Sequence, residues 1–271
     1  MNRGDSAHQT ERPPVSAGTG DGRLPHPFTL TWRDGLFLHW PVDPDELRPH
    51  VPEPLSLDTR DGRAWISILP FVNANAGLRM TPKFLRYTAP ELNVRTCVTF
   101  RGDPALYFFS VDVDSVVIAA LVGRYTRLPV TRARMHVSRV EGATTYEGNQ
   151  VSFSSTRESA TEPIGRFAVN YQPTEAVTFA EPDSRLAWLT ERRRFYAPDG
   201  SRRRSESTVL VGEVAHAPWP LQPAEATVHE NTLFAANGLP EPVDEPIAQY
   251  CPELTMTASI PRRIRANRAG G

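Results

Sequence analysis

ELNVRTCVTF, residues 91–100, is the stretch on which the fold turns. Read as an extended strand, it puts Glu91, Asn93, Arg95 and Cys97 on one face and Leu92, Val94, Thr96 and Val98 on the other. Alternation alone fits two arrangements. In one, the strand is half exposed and its polar side meets water. In the other, the sheet curves closed and the same stripe lines an interior cavity. A buried glutamate and arginine would then have to pair or meet a ligand, because an isolated buried charge is costly.

The sequence to either side has the same texture. Residues 28–42 alternate through Phe28, Leu30, Trp32, Leu36, Leu38 and Trp40, with a break expected at Asp34-Gly35. Strands are also expected over 63–72, 105–112, 133–140, 150–156, 165–172, 207–215, 225–234 and 254–260. Between the first two strands, Asp43 can cap a short helix that starts at Pro44, with Glu46 completing a capping box and Pro52 beyond its end. The segment 114–127, DSVVIAALVGRYTR, has helical spacing, and a second short helix is expected from Asp183-Ser184. RRRFYAPDGSRRRSE predicts a β-hairpin over Phe195–Ser205, with Arg192–Arg194 and Arg202–Arg204 exposed around its turn. Twenty-six prolines keep these pieces short. Many strands and few helices imply a mainly β fold, closed or strongly curved, with short helices outside.

Residues 1–26 read as a disordered tail, 27–261 as a single domain, and 262–271 as a basic, frayed end. The net charge of −1 provides no field toward nucleic acid or membrane. The longest aliphatic run, Val116–Val122, is too short to span a bilayer, and the N-terminus has no apolar signal core. A cytoplasmic protein is expected. Cys97 and Cys251 lie far apart, and His229-Glu230 lacks the second histidine of a helical zinc site, so neither a metal nor a cofactor is expected. His39 and His216 each stand beside tryptophan and proline; each reads either as a pocket acid/base or as a packing histidine that satisfies a backbone group. Lys83 is the single lysine, and follows a proline in an expected surface loop.

The order of several segments carries a resemblance. DPDELRPHVPEPLSLD (43–58) is similar to the early helix-and-loop signature of acetoacetate decarboxylases. GLFLHWPVD, APELNVRTCVTFRGD, ALYFFSVDVDS, GRYTRLPVTRARM and HAPWPLQ together resemble the YqjF-like branch of that superfamily, from about residue 28 to 261. The resemblance implies a barrel-like acetoacetate decarboxylase-like domain. In the decarboxylases a lysine forms a Schiff base with the keto acid, and an adjacent lysine lowers its pKa. Val130 and Thr131 stand at the matching positions. Of the other family site residues, an arginine matches Arg33 and a glutamate Glu91, while a further glutamate falls at Trp65.

The expected ligand site is thus Arg33, Glu91, Asn93 and Arg95, with His39, His216 and Trp65 as possible pocket residues and Glu91 as the candidate catalytic residue. Glu91 is expected to pair with one arginine and leave the other for a small organic acid. The leading function is binding or transformation of such a ligand without imine chemistry. A non-catalytic sensor or scaffold is the alternative, and a lyase using Lys83 the second.

Overall fold

The structure is a computed structural model that describes residues 25–114, 128–142, 145–146, 148–158, 163–198 and 208–265. Four features read from the sequence fall outside them: most of the N-terminal tail, all but the first residue of the helix over 114–127, the tip of the 195–205 hairpin, and the end of the basic C-terminus.

Thirteen strands are present among the described residues: β1 (Phe28–Val42), β2 (Ser56–Leu57), β3 (Ala64–Leu78), β4 (Tyr87–Phe100), β5 (Asp103–Val113), β6 (Val130–Glu141), β7 (Asn149–Arg157), β8 (Arg166–Pro173), β9 (Arg194–Pro198), β10 (Thr208–His216), β11 (Gln222–Asn231), β12 (Ile247–Ala258) and β13 (Arg262–Arg265). They form one curved sheet, antiparallel except where β5 meets β6 and β9. It is not one simple barrel. Neighbouring strands run β12–β1–β3–β4–β5, and two routes lead back. The shorter passes through β9 and β10, which rejoins β12 over Val214–His216. The longer passes through β6, β7, β8 and β11.

The five shared strands are therefore covered on both faces. On one face Leu36, Leu38, Trp40, Ile66, Ile68, Leu92 and Val94 pack with Phe153, Phe167 and Val169 of the longer circuit. On the other, Trp32, Phe37, Leu69 and Phe71 meet Trp219 and Leu221, while Trp65 and Cys97 meet Leu106, Leu189 and Phe195. This is why all of 92–98 is buried although its side chains alternate in polarity. The polar stripe faces inward, as the closed-sheet reading required.

The first strand does not break at Asp34. It runs through, with Asp34 at φ 51 and a register shift against β3 between Arg33 and Leu38. Short Asp side chains tolerate this left-handed conformation, and here it is tied down from several sides. Asp34 is 1% exposed. Its Oδ1 accepts from Tyr250 Oη and Asn149 Nδ2, both at 2.7 Å, and its carbonyl accepts from Tyr171 Oη at 2.6 Å.

The short helices fall where capping chemistry placed them. In α1 (Pro44–Leu47) the Asp43 carboxylate accepts from the Asp45 amide at 2.8 Å, and a 3₁₀ turn carries the chain on to His50. Ser184 caps α2 (Arg185–Thr190). Three expectations need correction. The strand expected over 225–234 ends at Asn231, and Leu233–Ala236 form a further helix, α3. The C-terminal basic segment begins as β13, paired with β10. The β9–β10 hairpin exists, but Arg192 does not belong to a solvated tip. It is 5% exposed, 2.7 Å from Asp58, and donates to the carbonyls of Trp188, Val98 and Ala105. No helix among the described residues is long and apolar enough to cross a membrane.

Candidate functional site

The strand register builds the site. Ile247 of β12 pairs with His39 of β1, His39 with Ser67 of β3, Ser67 with Arg95 of β4, and Arg95 with Phe108 of β5. Directly paired residues project to the same face, so these five form one row across the inside of the shorter circuit. His39 is 0%, Ser67 3% and Arg95 4% exposed. Phe37 lies one step along β1, its ring centroid 5.8 Å from the Arg95 guanidinium carbon. Trp219 packs on Phe37 at 5.0 Å and on His216 at 4.8 Å.

Arg95 is the anomaly in this row. Its Nε and Nη2 are buried and have no hydrogen-bond partner among the described residues. Those two nitrogens share one edge of the guanidinium, the edge that grips a carboxylate side-on. Elsewhere in the same molecule that edge is filled: Arg33 presents it to Glu253 at 3.1 and 3.0 Å, and Arg185 to Asp61 at 3.2 and 2.8 Å. Burial, with a smaller push from Arg192, brings the pKa of Arg95 down to about 10, so it stays cationic at neutral pH.

The neighbours are mostly neutral. Burial, and then the Arg95 charge, hold His39 down at about 3. Its Nδ1 lies 2.6 Å from Ser67 Oγ, and its Nε2 is buried without a partner among the described residues. This corrects the packing-histidine reading in one respect: the partner is a hydroxyl, not a backbone group. His216 is held near 4 by burial and by the Arg193 and Arg95 charges; its Nδ1 is 2.7 Å from the Ala217 carbonyl. Burial raises the Cys97 thiol, leaving it un-ionised near neutrality despite two nearby arginines. Trp65 Nε1 and Asn93 Oδ1 are also buried and unpartnered.

Glu91 does not pair with an arginine. It accepts from Asn73 Nδ2 at 3.0 Å and is hydrogen-bonded by Asn93. Burial lifts its carboxyl to about 7 against those two bonds. Arg33 is not brought to this row at all. It sits within β1, in a surface pair with Glu253. There it lines an open cleft of about 350 Å³ with Asp34, Arg139, Asn149, Tyr250 and Glu253. A second open cleft, of about 440 Å³, lies between α1 and β2. Neither cleft is lined by Arg95. Lys83 is exposed in the β3–β4 connection, and Val130 and Thr131 open β6 beside Val111 and Asp112.

The row thus unites Arg95 with His39, and the same strand face carries Glu91, Asn93 and Trp65. Ser67 was missed. Its signal was available: it is the lone polar side chain in the otherwise apolar run AWISILPFV. The aromatic wall of Phe37 and Trp219 had no signal in local sequence, because the two residues meet only through tertiary folding.

Comparison with known proteins fits this architecture. Solved structures of like fold include the enduracididine biosynthesis enzyme MppR complexed with pyruvate, with a TM-score of 0.62, 16% identity, and coverage of 91% of this chain and 93% of that one. Acetoacetate decarboxylase from Legionella pneumophila has a TM-score of 0.54 at 11% identity, covering 94% and 93%. At such identities the likeness is one of fold. Among sequences, the uncharacterized protein YqjF of Bacillus subtilis (strain 168) is 38% identical over 221 residues, 81% of this chain and 85% of the relative. The model of the DUF2071 family, described as an uncharacterized conserved protein, matches residues 29–255. The chain belongs to the DUF2071 family, with an acetoacetate decarboxylase-like fold.

Proposed function

We propose that this protein binds a small organic anion, most simply a carboxylate, inside the shorter strand circuit at Arg95, and that it does so without imine chemistry. The observation that carries the proposal is the empty Nε/Nη2 edge of a buried guanidinium. A buried charge needs a partner. Among the described residues none is supplied at this edge, and a planar two-oxygen anion supplies one with matching geometry. MppR, which shares the fold, is described in complex with pyruvate. An imine route here would fall to the single lysine, and Lys83 lies exposed in a distant connection.

The test is binding of propionate by titration calorimetry to the parent and to Arg95→Met. Methionine keeps an unbranched stem and removes the charge. Binding should be lost, at least tenfold, while the melting temperature stays level or rises, since an unpaired buried charge has been removed. Equal binding by both proteins would sink the proposal. Borohydride reduction with pyruvate should leave the intact mass unchanged; an adduct on Lys83 would favour the lyase reading.

A further inference from the structure

We infer that His39, locked by Ser67, is a second ligand contact and the specificity-determining residue of the Arg95 site, selecting carboxylates that carry a further acceptor atom over those with a plain alkyl body. The inference rests on the anion reading above. It comes from the cross-strand row, in which Ser67 stands between His39 and Arg95 on adjacent strands and all three side chains share one inner face. Adjacent strands lie about 4.8 Å apart, so His39 and Arg95 are about 10 Å apart at the backbone. Both side chains are buried on the inner face of the shorter circuit.

The tautomer follows from counting protons. Ser67 Oγ has His39 Nδ1 as its one hydrogen-bond partner among the described residues. If the imidazole donated through Nδ1, the serine proton and the Nε2 lone pair would both be left without partners. If Ser67 donates to Nδ1, the Nε2 proton alone is left over. The second arrangement orphans fewer buried groups and is favoured on that ground. Ser67 therefore fixes His39 as a neutral donor through Nε2, the atom that is buried and unpartnered. Its neutrality at working pH agrees with its deep burial beside a cation. A further donor on this face without a partner among the described residues, Trp65 Nε1, lies two residues from Ser67 on the same strand face.

The chemistry then reads in two parts. Arg95 takes the carboxylate, and a neutral N–H at the neighbouring position takes an oxygen elsewhere on the same molecule. A neutral donor suits a hydroxyl, carbonyl or second carboxylate oxygen. A ligand offering only methylene or methyl there leaves the N–H unpaired in a dry site, and sites built to hydrogen-bond a polar group discriminate strongly against analogues that lack it.

Propionate and lactate separate the two claims, since they differ by one hydroxyl. Calorimetric titration of the parent should show lactate binding roughly tenfold tighter than propionate, the worth of about one buried hydrogen bond. His39→Leu should bring the two affinities within about twofold of each other, chiefly by weakening lactate. Ser67→Ala, which frees the imidazole, should reduce the preference without abolishing it. His39→Gln, a neutral donor of similar reach, should keep part of the preference and guards against a folding defect in the leucine variant. If the parent binds both acids equally, or His39→Leu and His39→Gln both keep the full preference, this inference fails and the Arg95 reading stands. If neither acid binds the parent, or Arg95→Met binds both as the parent does, the anion reading fails and takes this one with it.

Discussion

Arg157 and Arg95 are buried to nearly the same degree, 8% and 4% exposed, on opposite faces of the five shared strands. Their surroundings differ completely. Arg157, inside the longer circuit, donates from Nε to Asp112 at 2.8 Å, from Nη2 to Ser110 at 2.6 Å and from Nη1 to Asn237 at 3.3 Å. Gly165 lies so close that a Cβ there would meet Arg157 Cδ at 2.7 Å. Arg95, inside the shorter circuit, has an aromatic ring under it and, among the described residues, no carboxylate paired with it. The same fold thus closes one arginine among partners and leaves the Nε/Nη2 edge of the other without one among the described residues. An arginine enclosed by partners specifies packing; one enclosed without them is where the proposed anion would be held.

The larger consequence of that contrast is in stability. Asp112→Leu should strand a buried guanidinium and cost roughly 3–5 kcal/mol, which for a domain of this size is on the order of a 10 °C fall in Tm. Burial raises the Asp112 pKa while Arg157 pulls it down, so this pair is held by geometry as well as charge. Adding Arg157→Met should recover much of the loss, because two well-packed apolar groups can replace a buried pair. Thermal unfolding of the single and double variants checks it. A single variant as stable as the parent would break the contrast, since Arg157 would then need its partner no more than Arg95 does.

A smaller effect belongs to Glu91, the carboxylate that the sequence had assigned to an arginine. Its folded pKa is raised to about 7, so the fold binds the proton more tightly than the unfolded chain does. The penalty of the charged form is absent below about pH 4.5, grows as pH rises, and is complete above about 7. Glu91→Gln, which can keep the Asn73 contact, should therefore gain on the parent by about 2 kcal/mol between pH 5 and pH 8.5. Denaturant titrations at the two pH values read this directly. A variant that loses stability at the higher pH would mean that Glu91 is paired with a cation after all.

How much of this was legible in advance depends on the range of the interaction. ELNVRTCVTF disclosed its face assignment because alternation is a local property. Asp43-Pro44 and Ser184 disclosed helix starts because capping reaches only two or three residues. What the stripe faced was not disclosed. Burial of both sides of β4 depends on β9–β10 and β6–β8 arriving from opposite directions, more than thirty residues away. Arg192 misled for the same reason: its string of arginines reads as surface, and Asp58 and two β-strand carbonyls capture it only in the folded chain. Asp34-Gly35 misled in a different way. A turn-like dipeptide can sit inside a continuous strand when a positive-φ residue is tied down by several hydrogen bonds, and Tyr171, Tyr250 and Asn149 do that here.

The smallest expected effect separates the two arginines that the family resemblance had placed together. Arg33 and Arg95 were both expected at one ligand, yet Arg33 spends its Nε/Nη2 edge on Glu253, and the two side chains are 41% and 54% exposed. An exposed pair of this kind contributes about 0–1 kcal/mol, and salt screens it. Arg33→Ala should therefore shift Tm by no more than about 2 °C, and less in 0.5 M salt than in 0.05 M. It should leave propionate affinity within about twofold of the parent, against the loss expected for Arg95→Met. The comparison is sharp because both variants remove one positive charge from β1 or β4, so any general electrostatic attraction of the anion falls alike in both. A residual difference between them reads out contact. If Arg33→Ala weakened binding as much as Arg95→Met, the anion would be held by the field of the whole face and not by one buried guanidinium edge.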